Sequence, residues 1–371
     1  MCSGVSGGLR RSRRTLNRYG SAVVQKTDTL IVGAGPVGLE VAAALKRDAA
    51  DYLHVDAGQV GQTMSWWAPG TRFFSSPERI AIAGVPLVTA GQEKATREEY
   101  LAYLRGVAGQ FDLRVRTFER VEGIEAGGPS RFHARTRTAA GRNCEYAAKN
   151  IVLAIGDMHR PRMLGAPGED LPHVSHYLRE PHEYFRRRVL IVGGRNSAVE
   201  AAIRLYRAGA EVTICCRGER FDPQRIKYWL LPEMEWLIKE RKVGWMPRTE
   251  VVRIETGGVR VRPVGGGTEL EVGAETVLLL TGYVQDPTLF QMCGVELVGQ
   301  QASPRHDPVT MQTNVPGLYV AGTATAGTQS RFRVFIENCH LHGARIAAAI
   351  AGRSIPRQPE PDENSGQTPE T

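Results

Sequence analysis

No apolar run in this chain reaches the roughly 18 residues that a membrane-crossing helix needs, so neither a span nor a membrane partner is expected. Cysteine is scarce and unpatterned. Cys2, Cys144, Cys215, Cys216, Cys293 and Cys339 form no C-x-x-C and no zinc-ribbon spacing. That argues against a secreted disulfide framework, gives no reason to expect a metal, and points to a reducing, cytoplasmic setting. A secretory signal is also missing, because the N-terminus has no long apolar core. It does have Arg10, Arg11, Arg13, Arg14, Arg18 and Lys26 against the single acid Asp28. Residues 1–28 therefore read as a basic, disordered extension or a transit peptide. Residues 354–371 are polar and proline-rich and read as a disordered tail. The body between them stays net basic, which suits phosphorylated ligands or an acidic protein partner, with no nucleic acid expected.

Two glycine fingerprints of one kind are present. Leu30-Ile31-Val32 runs into Gly33-Ala34-Gly35-Pro36-Val37-Gly38, and Val189-Leu190-Ile191-Val192 runs into Gly193-Gly194-Arg195-Asn196-Ser197-Ala198. Each is an apolar strand, a glycine turn and a helix-forming stretch, the order that aims backbone N–H groups and a helix N-terminus at a pyrophosphate. One such motif is weak evidence. Two suggest two dinucleotides, and the simplest use of two is hydride transfer from a nicotinamide to a flavin.

The remaining pattern completes the expectation. A strand at Tyr52–Val55 ends in Asp56, placed about 20 residues past the turn to accept a ribose hydroxyl, which suits FAD. A helix is expected over 96–108 and a small meander over 113–148. Apolar strands stopped by glycine follow at Ile151–Gly156, Thr276–Leu280 before Gly282, and Leu318–Gly322 before Thr323. The expected fold is α/β, with two Rossmann-like dinucleotide-binding domains of three-layer ββα type. An FAD domain of 29–186 and 275–353 is interrupted by an NADPH domain of 187–274. In the second unit the strand Glu211–Cys215 ends without an acid, and Arg217 follows Cys216. A guanidinium there suits a 2′-phosphate, so NADPH is expected, with Arg220, Arg225 or Lys227 as helpers. The alternative for Arg217 is a solvated turn residue. Trp66, Trp67, Phe73 and Phe74 could wall a flavin ring or be ordinary core.

Residues 29–352 resemble the bacillithiol-disulfide reductase family, flavoproteins with the thioredoxin-reductase fold. The resemblance rests on Phe73-Phe74-Ser75-Ser76, on the run from Gly168 to Tyr177, on Gly193 to Ala202, on Lys227 to Pro232, and on Phe335-Ile336-Glu337-Asn338. It implies FAD in the first domain, NADPH in the second, and a low-molecular-weight disulfide such as bacillithiol disulfide as acceptor. It also picks out His176 and His342 as proton-transfer candidates, with His173 beside them. One departure matters: the family has a cysteine before the third glycine of the first turn, and here Val37 stands there. Valine cannot perform thiol–disulfide exchange. A second departure is Ile155, where a threonine is usual before Gly156. A third is Thr323, where many relatives of the fold have an aspartate that holds the ribityl chain.

Three other functions stay open on the sequence. Flavoproteins of this fold without redox cysteines reduce ferredoxin- or flavodoxin-like carriers, and the basic body suits an acidic carrier. His173-x-x-x-Tyr177 is a fragment of a flavin monooxygenase linker signature, although Ala166 stands where that signature needs an aromatic residue. A non-enzymatic flavin-binding sensor is the third. A homo-oligomer is also possible. Cys339, His340 and His342 share a helix but are too few for a complete metal site.

Overall fold

The computed structural model describes residues 24–127, 131–330 and 333–356. Its first unit is built on a sheet of seven strands. Six lie in the order β3 (Val115–Arg116), β2 (Tyr52–Val55), β1 (Gln25–Val32), β6 (Asn143–Leu153), β5 (Phe132–Thr138) and β4 (Glu119–Ala126). The seventh, Leu318–Val320, pairs in parallel with the end of β6. β6 does two jobs. Its first half is the third strand of the antiparallel meander, and its second half is flanked in parallel by β1 and Leu318–Val320.

β1 starts earlier than expected. Gln25, Lys26 and Thr27 pair with Tyr146, Ala147 and Ala148, and Thr27 is buried. Their polar side chains hide the strand from a hydrophobicity reading, but the long β6 offers a partner there, so the extension cannot run to residue 28. Residues 1–23 and 357–371, which hold most of the expected extension and tail, lie outside the described residues.

On one face of this sheet lie helix α1 (Pro36–Arg47), the helix Arg97–Gln110 and the helix His340–Ile350, over a core that includes Leu39, Leu45, Tyr100, Leu104 and Ile346. Helix 97–110 is set by a capping box, with Thr96 and Glu99 exchanging hydrogen bonds. Gly343 lets the last helix approach α1, since a Cβ there would lie 3.0 Å from the Glu40 carbonyl oxygen.

The second unit is a five-stranded all-parallel sheet, in the order Gly244–Met246, Glu211–Cys215, Arg188–Val192, Thr276–Leu279, Val174–Ser175. The helix Asn196–Arg207 covers one face and ends at Ala208 before Gly209, whose φ is +84°. The other face packs on a three-stranded antiparallel sheet over 249–273. This corrects the expected boundaries. Thr276–Leu279 does not return to the first unit, and Val174–Ser175 does not stay in it. Thr276–Leu279 pairs with the second glycine strand Arg188–Val192, and Val174–Ser175 pairs in turn with Thr276–Leu279 at the edge of the sheet. The chain crosses between units twice, and the crossings pair as a short antiparallel ladder, Arg160–Pro161 with Tyr283–Val284.

Candidate functional site

The first glycine turn sits at the C-terminal edge of the first sheet. Gly33 has φ +105° and donates its N–H to the Val55 carbonyl at 2.9 Å, and a Cβ there would lie 2.4 Å from the Ala154 oxygen. Gly38 is tighter, since its Cβ would lie 1.9 Å from the Gly33 oxygen. Around Gly35, in contrast, a Cβ would meet nothing within 4 Å. The turn is thus closed toward the protein and open outward. Helix α1 begins there with Pro36 in its first turn, no side-chain cap and no acid in that turn. Its leading N–H groups are left for an anion. Asp56 borders the opening, accepting the Ala34 N–H at 2.5 Å and the Gly58 N–H at 2.7 Å. A carboxylate has further lone pairs for a diol. These features fit the pyrophosphate and ribose of FAD.

The second turn repeats the plan. Gly193 has φ +152°, and its Cβ would lie 2.5 Å from the Leu280 oxygen. Gly194 would press on Cys216 at 3.2 Å. The helix Asn196–Arg207 starts with no side-chain cap at Arg195 and no acid in its first turn, which holds Ser197 and Ala198. Asn196 is occupied internally, accepting the Lys227 backbone N–H at 2.5 Å. Burial, then the nearby guanidiniums of Arg225 and Arg162, hold Arg195 below the usual arginine range, with Arg217 adding to them and Asp222 opposing. Arg162, Arg217 and Arg225 are thus close enough to Arg195 to act on its charge, with Arg225 paired to Asp222 at 3.0 Å, and such a cluster suits a phosphorylated nucleotide. Arg162 comes from the first crossing, and only its tertiary placement reveals it.

Lys227 does not fit its expected role as a phosphate helper. Its buried ammonium is engaged by the Glu200 carboxylate at 2.8 Å and the Arg72 carbonyl at 2.9 Å. Burial and these two partners commit it to the protein's own interior.

Gly156, Gly322 and Thr323 gather beside the first turn. Gly322 has φ +73°, and its Cβ would lie 3.1 Å from that of Val37. Gly282 lies apart, in the second crossing, where its carbonyl accepts the Arg162 N–H at 2.9 Å. The two histidine candidates are also separated. His342 accepts the Gly322 N–H, whereas His176 lies in the connecting segment 3.6 Å from Glu169. Among the described residues no group of three or more His, Cys, Asp or Glu could hold a metal.

The expected aromatic wall is divided. Phe73 is buried against Trp67 and Tyr100, and Phe74 stacks across the seam on Trp229 at 6.0 Å. Trp66 meets Tyr177, and Tyr177 meets Tyr283. A cleft of about 320 Å³ opens between the units, lined in part by Trp66, Arg97, Tyr177 and Arg179.

Two polar residues that the sequence reading did not single out stand at the first site. Asp157 is buried one residue beyond Gly156, and Gln329 donates to it at 2.9 Å. The sequence offered only an acid one residue after a strand-ending glycine, and its burial among distant segments shows only in the fold.

The comparisons agree with this geometry. Residues 30–322 match the model of the pyridine nucleotide-disulphide oxidoreductase family. The chain is 35% identical over 325 residues to bacilliredoxin reductase Bdr of Bacillus subtilis (strain 168), covering 87% of this chain and 97% of that protein. It is 29% identical over 315 residues to a ferredoxin–NADP reductase of Ignicoccus hospitalis, covering 80% of this chain and 90% of the relative. Among solved structures, bacillithiol disulfide reductase Bdr from Bacillus cereus superposes with a TM-score of 0.84 at 34% identity, covering 89% of this chain and 100% of that one. A thioredoxin reductase from T. acidophilum, at 21% identity and a TM-score of 0.67, shares the fold. The chain belongs to the pyridine nucleotide-disulphide oxidoreductase family and is an NADPH-dependent flavin oxidoreductase of the thioredoxin-reductase-like fold.

Proposed function

We propose that this protein oxidises NADPH and passes the electrons through FAD to a low-molecular-weight disulfide such as bacillithiol disulfide. The observation that carries this reading is the likeness, over most of the chain, to solved proteins named for that reduction. Gly33, Gly35, Pro36 and Gly38 would receive the FAD pyrophosphate, with Asp56 on the ribose and Gly156, Gly322 and Thr323 beside the rest of the cofactor. Gly193, Gly194, Asn196, Ser197 and Ala198 would shape the NADPH turn, with Arg217, Arg195 and Arg162 supplying positive charge for its phosphates. Gly282, bonded to Arg162, would shape the crossing beside that turn. FAD, when bound, supplies the two-electron relay. Val37 supplies no thiol, so the acceptor is reduced without an enzyme mixed disulfide at that position.

The test is an anaerobic one. The purified holoenzyme is reduced with one equivalent of NADPH, bacillithiol disulfide is added, and the flavin absorbance is followed. Rapid return of the oxidised spectrum supports the reading. A flavin that stays reduced overturns the choice of acceptor and turns attention to acidic electron carriers and to oxygen.

A further inference from the structure

We propose that Asp157, presented by Thr323 and Gln329 at the C-terminal edge of the first sheet, is the carboxylate that accepts a hydroxyl of the FAD ribityl chain. This rests on the reading that the first unit holds FAD.

β6 and Leu318–Val320 run parallel, with Leu153 opposite Val320, so both deliver their following residues to one edge. Asp157 leaves from the first strand and Thr323 from the second. The same edge carries the first glycine turn, because Gly322 lies against Val37 of that turn. Ligands of open parallel sheets bind outside this edge.

Asp157 is only 8% exposed. Its carboxylate accepts the Gln329 amide N–H at 2.9 Å, and the Thr323 hydroxyl and its own backbone N–H also donate to it, leaving one of its acceptor positions without a partner. Among the described residues no cation pairs with it. A carboxylate has about four acceptor positions, and a buried one left short of donors is costly. The groups around it have no such shortage. Gln329 spends its amide N–H groups on Asp157 and the Val334 carbonyl, and its oxygen on the Arg333 and Val334 N–H groups. Gln285 bridges the Gly156 and Ala324 carbonyls, tying both strand ends together. The scaffold is therefore fixed, and Asp157 is the member with capacity to spare.

The chemistry of the missing donor follows. A carboxylate repels phosphate, so the part of the ligand beside Asp157 is uncharged and carries hydroxyls. Beyond a pyrophosphate seated on Gly33–Gly38, the segment of FAD that meets this description is the ribityl polyol. Thr323 holds the acid in place from the position where the chain itself carries no charge.

The experiment titrates flavin-stripped protein with FAD and reads quenching of flavin fluorescence, alongside the melting temperature of the same apoprotein. Asp157→Ala is expected to weaken FAD at least tenfold while apoprotein melting holds. Thr323→Asp added to Asp157→Ala, which returns a carboxylate from the neighbouring strand, is expected to recover most of that loss. Unchanged FAD affinity in Asp157→Ala overturns the proposal. So does an affinity loss matched by lower apoprotein melting and not rescued by Thr323→Asp, since that describes a strut for Gln329. If the wild-type apoprotein takes up no FAD, the underlying reading falls and this proposal with it.

Discussion

At His342 the ring Nδ1 accepts the Gly322 N–H at 3.1 Å, an acceptor role open only to the neutral imidazole. Burial, then the charges of Arg345, His306 and His340, lower its pKa from 6.5 to about 4. A group with that value is not a proton donor near neutral pH, so the hydrogen bond to the strand-end glycine is its evident work. The linkage has a definite sign. Between pH 6.5 and about 4 the unfolded chain takes up a proton that the folded chain refuses, so stability falls as the pH drops through that window and is flat above it. The full effect is about 3 kcal/mol, from the size of the shift. His342→Asn keeps an acceptor without the titration. Denaturant unfolding at a series of pH values is expected to show a shallower acid-side slope for the variant, and parallel slopes would contradict the assignment.

One grip between the units depends on helix Asn196–Arg207 and the segment that follows its sheet. Arg204 hydrogen-bonds the Pro69 carbonyl and the Thr71 hydroxyl, while Lys227 joins Glu200 to the Arg72 carbonyl. Phe74 and Trp229 stack beside them. Lys227→Met would leave the Glu200 carboxylate half-enclosed, with only Arg204 at 4.0 Å to answer it. Losing one partner of a buried pair costs about 3–5 kcal/mol, and the residual exposure of Glu200 moves the expected loss to about 2–3 kcal/mol. Pairing Lys227→Met with Glu200→Gln is expected to restore most of it in chemical denaturation. An additive double variant would show that the two residues are not coupled.

This grip also marks where the sequence stopped being legible. Local signals found α1, the helix at 97–110 and the strand Glu211–Cys215, because caps, glycine stops and apolar runs act within a few residues. They could not assign Lys227 or Phe74, whose partners lie across the seam. Nor could they assign Thr276–Leu279, since an apolar strand carries no mark of which sheet will take it. The polar start of β1 was hidden for a related reason: its partner, the first half of β6, lies more than a hundred residues away. At the proposed sites, the glycine turns and Asp56 could be picked out from sequence because the turn geometry dictates residue type. Asp157 and Arg162 were not, because their surroundings are assembled from distant segments.

Across the whole molecule, the thiols are all in the wrong places for an exchange mechanism built on a described cysteine. Burial pushes Cys215, Cys293 and Cys339 up to about 12, with neighbouring charge adding to Cys215 and Cys339, and raises Cys216 as well. A thiol so protonated has almost no thiolate to attack a disulfide. Cys144 is the half-buried exception. It stands near the start of β6, while the cofactor edge lies at that strand's other end, roughly 30 Å of extended chain away. Cys2 lies outside the described residues. For the proposed disulfide acceptor, no described thiol is placed to relay the electrons. Iodoacetamide treatment of the folded holoenzyme should modify Cys144 in preference to the buried thiols and leave NADPH-dependent disulfide reduction within about twofold of the untreated rate. Cys2→Ala with Cys144→Ala should behave the same way. If either treatment abolishes reduction of the disulfide while NADPH still bleaches the flavin, a thiol is carrying the electrons out, and Val37 has been replaced in function by a cysteine elsewhere in the chain.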